Sequence, residues 1–452
     1  MINLKSNILF ILIDGLRADQ CYGDDKKSHT PFLDSLIKTG LYFNNVFSSA
    51  DGTIISLNGL FNSKFQYETG IRSKRIIFLE NNHLQKLKEE NFHIFGLIPK
   101  LTSLSPLSEF FENEDNAYEP GPPPQTLSNG MSEKILKLLN SIKDKSPWFC
   151  YIHLFDLHPL REGRFPLNIQ NFNYEKFGNS PYSRTVSSID YWLMEILKKI
   201  DFNNTTLILT ADHGERIPFD DKISFQFEPE LKQISTIGKK ILPSSTHNIG
   251  GKTIGKFRQI VGKTKVNFSN SKLSPYQIRS RDPYFTLSLH DELLHIPLLI
   301  KGKLFPKKII SQQISNLNIF PIIFDALQIP YENSKYITSL SNLLNDNENP
   351  ENVIFLHTMP YEKESEFDLV GIRTPQYKYF RHSRNPHKNV TLYDLKNDPY
   401  ENCNIYKSNT ELIKNFENLI IEMKNKKNSI IDEISPEDEE IISKELKDLG
   451  YL

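Results

Sequence analysis

Cysteine is scarce in this 452-residue chain: Cys21, Cys150 and Cys403 are the full set, odd in number and widely spaced. No pair has CxxC spacing, which excludes a disulfide framework and a zinc ribbon as the organising device. Long hydrophobic runs are missing too, and no stretch approaches the roughly 20 apolar residues that span a bilayer. The N-terminal ILFILI passes straight into DGLRAD without a small-residue cleavage site. It reads as a buried strand rather than a signal peptide, so a cytoplasmic protein is expected. An excess of one charge sign is also absent, with 54 Lys and Arg against 55 Asp and Glu, a formal net charge of −1. Such a balance gives no general attraction to nucleic acid or to an acidic membrane, and neither is expected as a partner. No internal repeat is visible. What remains is an ordinary globular composition, 38% hydrophobic and 11% aromatic. At this length it predicts one large domain plus a smaller one.

Four short apolar runs stand out: 7–13 (NILFILI), 148–155, 205–211 and 295–302. None alternates with period two, which suits strands buried on both faces of a parallel sheet. Between them, TPFLDSLIKTG offers Thr30 as an N-cap, Pro31 at the first helical position and Gly40 as a stop. SEKILKLLNSIKDK and SSIDYWLMEILKKID also space their apolar residues as helices do. The fold class is therefore α/β, a mostly parallel central sheet with helices on both faces. In such sheets ligands sit at the carboxyl ends of the strands. Asp14, His158 and the Asp212-His213 pair all fall at those ends.

From about residue 352 the texture changes. GIRTPQYKYFRH and NVTLYDL alternate like a small antiparallel sheet, and a helix is expected over 409–428. In the terminal SPEDEEIISKELKDLGYL, Ser435 is a fitting N-cap, with acids in the first turn. The polar LLNDNENPEN separates a catalytic domain, 1–345, from a C-terminal α+β subdomain, 352–452. Within the first domain, 216–288 forms a long insertion. Its stretch 238–265 carries Lys239, Lys240, Lys252, Lys256, Arg258, Lys263 and Lys265 and no acid. A solvated insertion is the simplest expectation, and a basic lid over an anionic substrate the more specific one.

Displacement at a sulfuryl or phosphoryl centre needs a deprotonated nucleophile, an offset for the charge on the equatorial oxygens, and a proton or metal for the leaving oxygen. A divalent ion held by carboxylates and an imidazole supplies the first two together. Alone, a strand-end aspartate also fits a helix cap, and Asp-His-Gly also fits a turn. Their order is more specific. NILFILIDGLRAD, HTPFLDSL, DGTIISLNGLF, LILTADHGE, GIRTPQYKYF and LYDLKNDPYEN together resemble the sulfatase branch of the alkaline-phosphatase-like hydrolases, across nearly the whole chain.

That resemblance implies a metal-dependent hydrolase of sulfuric or phosphoric esters, including phosphodiesters and phosphonates. It implies one divalent ion, Mn2+, Ca2+ or Zn2+, on Asp14, Asp212, His213 and Thr53. Three departures from the family pattern bear on the chemistry. Gly15 stands where many sulfatases have a second aspartate, and His213 where many have asparagine. This set resembles phosphonate monoester hydrolases and phosphoglycerol transferases, and the imidazole favours transition metals over calcium. Thr53 stands at the start of the segment that reads Cys (or Ser)-x-Pro-Ser-Arg in sulfatases, so no formylglycine is expected. Thr53 becomes the expected nucleophile, with Ser49, Ser56 or Asp51 as alternatives. Phe285-Thr286 replaces a His-Gly pair, with His290 the only nearby substitute, so one metal is expected rather than two.

By the same resemblance His158 and Lys100 would contact the transferred group and Arg17 would brace the nucleophile segment, whereas His153 reads as a core residue. The expected partner is an anionic ester, such as a sulfated or phosphorylated glycan or head group. Two other functions fit the residues: a phosphoglycerol- or phosphoethanolamine-type transferase, and a catalytically inactive binding module on the same scaffold.

Overall fold

The computed structural model describes residues 5–71, 75–121, 123–161, 169–217, 274–280, 288–332, 334–347, 352–358, 368–425 and 435–448. Its centre is β1 (Asn7–Ile13), buried at every position. β1 pairs in parallel with β5 (Trp148–Leu154) on one side and β6 (Thr205–Thr210) on the other. Unbroken apolar runs are what strands covered on both faces require. β3 (His93–Pro99) extends the parallel set beyond β5, and β4 (Ala117–Tyr118) extends it beyond β3.

On the other flank β7 (His295–Lys301) runs antiparallel to both β6 and β2 (Leu41–Phe47). β8 (Lys308–Ile310) and β9 (Ile314–Ser315) pair in parallel with β2. The described strands of this sheet run β4-β3-β5-β1-β6-β7-β2-β8, with β9 also on β2. All four apolar runs read from the sequence are strands, ending within one residue of the expected positions. β2 and β3 lie outside those four runs, although β3 is apolar and buried from Ile94 to Pro99 with Gly96 as its one break. In β2 the half-exposed Asn44 and Asn45 interrupt the apolar pattern, where the register shifts between Phe43 and Val46.

Helices cover the sheet as expected. α1 (Pro31–Thr39) starts on Pro31, but Thr30 makes no side-chain cap bond. Asp190 of α4 (Pro181–Leu197) instead accepts the amides of Phe32 at 3.1 Å and Leu33 at 2.7 Å. A carboxylate from a neighbouring helix has replaced the local hydroxyl, satisfying two orphan donors at once. The apolar helix α5 (Ile319–Leu327) stacks Phe320 on Phe10, with ring centroids 5.7 Å apart. α2 (Thr53–Asn62) is buried throughout, and its Phe61 joins the same aromatic cluster. α3 (Ser132–Ile142) buries Ile135, Leu138, Leu139 and Ile142.

The C-terminal strands β10 (Ile354–His357), β11 (Leu369–Arg373), β12 (Tyr377–His382) and β13 (Thr391–Asp394) form a separate antiparallel sheet in that order. α6 (Thr410–Asn425) buries Phe416, Ile420 and Met423. α7 (Pro436–Asp448) follows Ser435, whose Oγ accepts the Asp438 amide at 3.1 Å. Both sheets belong to one compact unit, comprising 1–215, 287–399 and 404–452. A second unit comprises 216–286 and 400–403. In it, Arg279 donates to the carbonyls of Glu401 (2.8 Å) and Tyr400 (3.0 Å). The basic stretch 238–265 lies outside the described residues. No described helix is long and apolar enough to cross a membrane.

Candidate active site

The parallel strands β3, β5, β1 and β6 all end at one rim, and the polar residues read from the sequence gather there. Asp14 follows β1, and its amide donates to the Leu154 carbonyl at the end of β5 (2.9 Å). Gly15 then turns the chain with φ +69°. In this turn the Gly15 amide donates to Asp212 Oδ1 (3.1 Å), and its carbonyl accepts the Tyr182 hydroxyl (2.5 Å). A side chain at that φ is strained even where space is free, and the nearest atom to an added Cβ is Glu215 Cβ at 3.8 Å. Gly15→Ala is therefore expected to cost about 1–2 kcal/mol of stability. Urea denaturation would measure it, and an unchanged midpoint would refute the strain.

Asp212 and His213 follow β6. Asp212 Oδ1 also accepts the His213 amide (2.9 Å), whereas Asp212 Oδ2, fully buried, has no hydrogen bond. His213 Nδ1 donates to the Gly214 carbonyl (2.6 Å), which leaves Nε2 with its lone pair directed at the cluster. Thr53 is the first residue of α2, reached by the loop after β2. Its Oγ1 lies 3.1 Å from Asp14 Oδ2 and 3.3 Å from His213 Nε2. Ligand atoms of Asp14, Asp212 and His213 all lie within 4.8 Å of one another.

Two further imidazoles flank Asp14. His158 Nδ1 is 3.6 Å from Asp14 Oδ1, and its ring stacks on Phe155 at 4.1 Å. His153 Nε2 is 3.7 Å from Asp14 Oδ2. His153 is buried as the sequence implies, yet it belongs to the site's floor rather than to the apolar core. Burial pushes the Asp14 carboxyl up, but His153, His158 and His213 outweigh it and hold Asp14 well below the usual range. Asp212 is raised, first by burial and then by the charge of Asp14 beside it. Two close buried carboxylates cannot both carry charge cheaply without a cation. The chemistry of the donor set fits one: two hard oxygens, an imidazole lone pair, and a buried carboxylate oxygen with no donor of its own.

The alternatives to Thr53 have other duties. Ser56 Oγ donates to the Asp212 carbonyl (2.5 Å). Asn316 Nδ2 donates to the Ser56 carbonyl (2.9 Å), and its Oδ1 accepts the Ser49 amide (3.1 Å). These bonds tie the loop before Thr53 to the segment carrying Asp212. Asp51 Oδ2 accepts the Ser288 amide (3.4 Å). His290 Nε2 meets the Tyr393 hydroxyl (3.2 Å), so it faces the C-terminal sheet.

Arg17 and Lys100 sit differently from what the resemblance implies. Arg17 is buried, but its Nε donates to Asp19 Oδ1 (3.0 Å) and its Nη1 to the Glu215 carbonyl (3.2 Å). It thus braces the chain after His213. Lys100 follows β3 at the same rim, but its side chain is 70% exposed and pairs with Glu119 at 3.1 Å. Asn316, Tyr182 and Ser56 in its bracing role carry no local signal in the sequence. Each acts across more than a hundred residues of chain.

The Sulfatase family profile matches residues 6–329, and the profile "N-sulphoglucosamine sulphohydrolase, C-terminal" matches 284–429. An ulvan-active sulfatase of Formosa agariphila is 26% identical over 443 residues, covering 89% of this chain and 76% of that protein. Among solved structures, the phosphonate monoester hydrolase of Agrobacterium radiobacter superposes with TM-score 0.61 at 14% identity, covering 93% of this chain and 95% of that one. A structure solved in complex with its substrate D-glucosamine-2-N,6-O-disulfate gives TM-score 0.62 at 15% identity, covering 93% and 98%.

Proposed function

The chain belongs to the sulfatase family of ester hydrolases, and on that premise we propose that it cleaves an anionic sulfuric or phosphoric ester with Thr53 as nucleophile, at the position sulfatases fill with formylglycine. One observation carries the reading: the buried Thr53 hydroxyl stands between Asp14 and His213, beside a second carboxylate. Asp14, Asp212 and His213 would hold a divalent ion, with Thr53 beside it. Such an ion, when bound, would offset the ester's negative charge and favour the ionised hydroxyl.

The residues then divide the work. Asp14 and His213 hold the threonine oxygen, because the Leu154 carbonyl fixes the one through its amide and the Gly214 carbonyl fixes the other through its ring. Once its proton is lost to solvent water, Thr53 Oγ1 forms a bond to the sulfur or phosphorus, and the bond to the leaving oxygen breaks. His158, on the far side of Asp14, gives that oxygen its proton. Water then cleaves the Thr53 ester and releases the sulfate, phosphate or phosphonate. A formylglycine hydrate can expel sulfate by breaking its own C–O bond, whereas a threonine ester must be attacked at its central atom. That step is ordinary for phosphorus and slow for sulfur, so phosphorus esters are the better substrates under this reading.

The test has two parts. Equilibrated with Mn2+ or Zn2+ and desalted, the protein should retain about one equivalent, and Asp212→Ala should retain far less. Aryl phosphonate, bis-aryl phosphodiester and aryl sulfate should then be assayed side by side. No retained metal in the unaltered protein, or no turnover of any of the three esters, would sink the proposal.

A further inference from the structure

Tyr151 and His153 bring polar atoms into the otherwise apolar β5, and a period of two puts them on one face of the sheet. Tyr151 lies opposite Phe10 and His153 opposite Leu12, so both share that face with Asp14, two residues beyond Leu12. Both are fully buried. α2, which carries Thr53, covers them through Phe61, whose ring meets Tyr151 edge-on at 5.5 Å. The Tyr118 hydroxyl of β4 donates to the His153 carbonyl (2.7 Å) and fixes the backbone there.

The protons of this pair can be counted. The Tyr151 hydroxyl lies 3.2 Å from His153 Nδ1, close enough for either to donate. Burial pushes the Tyr151 pKa well up, so the group stays a phenol with a proton to place. Among the described residues it meets no other acceptor. A donating Nδ1–H would therefore strand the phenol proton, and would turn the Nε2 lone pair toward the Asp14 carboxylate, whose Oδ2 is 3.7 Å away. With the phenol donating, Nδ1 accepts and Nε2 carries the hydrogen. That enclosed N–H has no hydrogen-bond partner of its own, and its positive end faces Asp14.

We propose that His153 is a positioning residue for the metal site: Tyr151 fixes its tautomer, and its Nε2–H steadies Asp14 Oδ2, so that this carboxylate meets the ion in one orientation. Outer partners of this kind orient metal-ligating side chains, and losing one costs about 10- to 100-fold in metal affinity. His153 touches neither the ester nor the ion, and it is distinct from His158, which meets the other oxygen of Asp14. The inference rests on the proposed reading that Asp14, Asp212 and His213 hold a divalent ion.

Both tests avoid turnover. With isotopically labelled histidine, a long-range proton–nitrogen spectrum of the metal-free protein should place the His153 proton on Nε2, the signal being assigned by its loss in His153→Gln. Competition for Zn2+ against a chromophoric chelator then ranks the variants. His153→Leu should weaken Zn2+ binding about 10- to 100-fold. His153→Gln sets an amide N–H near the Nε2 position and should stay within about threefold of the unaltered protein. Tyr151→Phe releases the tautomer and should cost about three- to tenfold. A proton on Nδ1, unchanged Zn2+ affinity in His153→Leu, or a glutamine variant as weak as the leucine one would overturn the proposal and leave the hydrolase reading standing. No Zn2+ binding by the unaltered protein would overturn both.

Discussion

Thr53→Ala should lower kcat toward whichever aryl ester the protein hydrolyses by on the order of 10³-fold or more. The loss is expected to be this large because, among the described residues, Thr53 carries the hydroxyl that meets both Asp14 and His213. Ser56 is committed to the Asp212 carbonyl, and Ser49 lies on the loop held by Asn316. Stability should fall by only about 2 kcal/mol, because the substitution deletes one buried hydroxyl and one methyl, each worth about 1 kcal/mol. Thr53→Ser keeps the oxygen at the first position of α2 and should retain activity within roughly tenfold, the loss reflecting the freer χ1 of serine. Mass spectrometry of acid-quenched enzyme should find the sulfuryl or phosphoryl group on the peptide containing Thr53. An alanine variant that keeps more than about a tenth of the rate would remove Thr53 as nucleophile.

Much of this site was legible because its residues sit where short-range patterns point. Asp14 and Asp212-His213 each end an unbroken apolar run, and a run of that kind predicts a central strand with its carboxyl end at the ligand edge. Thr53 needed the family pattern as well, since nothing local distinguishes it from Ser49 or Ser56. What the sequence hid is tertiary. The Arg17 partner Glu215 is 198 residues away, and the Ser56 partner Asn316 is 260 residues away. Lys100 shows the same limit from the other side. Its place on the rim was readable, but its pairing with Glu119 depends on β4, a strand of two residues. Thr30 was a sound N-cap candidate by composition and lost to Asp190, which only the packing of α4 against α1 supplies.

Asp291→Asn should be the most damaging substitution away from the reactive cluster, costing about 3–5 kcal/mol. Asp291 opens the short helix Asp291–Leu294 just before β7. Its carboxylate accepts from Arg373 Nε at 3.1 Å and Nη2 at 2.8 Å, and meets Lys378 Nζ at 2.5 Å. Arg373 and Lys378 belong to β11 and β12, so one carboxylate joins the C-terminal sheet to the central one. The Arg373 guanidinium also lies over the Phe47 ring of β2, 3.4 Å from its centroid. These contacts give a physical meaning to GIRTPQYKYF, whose arginine and lysine are two residues of this knot. The side chains of Arg373 and Lys378 are only 9% and 0% exposed, against 19% for Asp291. An amide would thus remove the negative charge that these two buried cations share, and desolvated charge is what makes broken buried pairs expensive. The pH dependence has a fixed sign. Burial raises the Asp291 carboxyl, but Arg373 and Lys378 outweigh it and hold it far below the usual carboxylate range. A depressed carboxylate contributes its stability in full above its unfolded value of about 4 and loses it as the pH falls below that. Denaturation of the two proteins should therefore differ most at pH 6–8 and converge on acidification. A gap that stays constant from pH 7 down to pH 3 would show that the cost comes from shape rather than from charge.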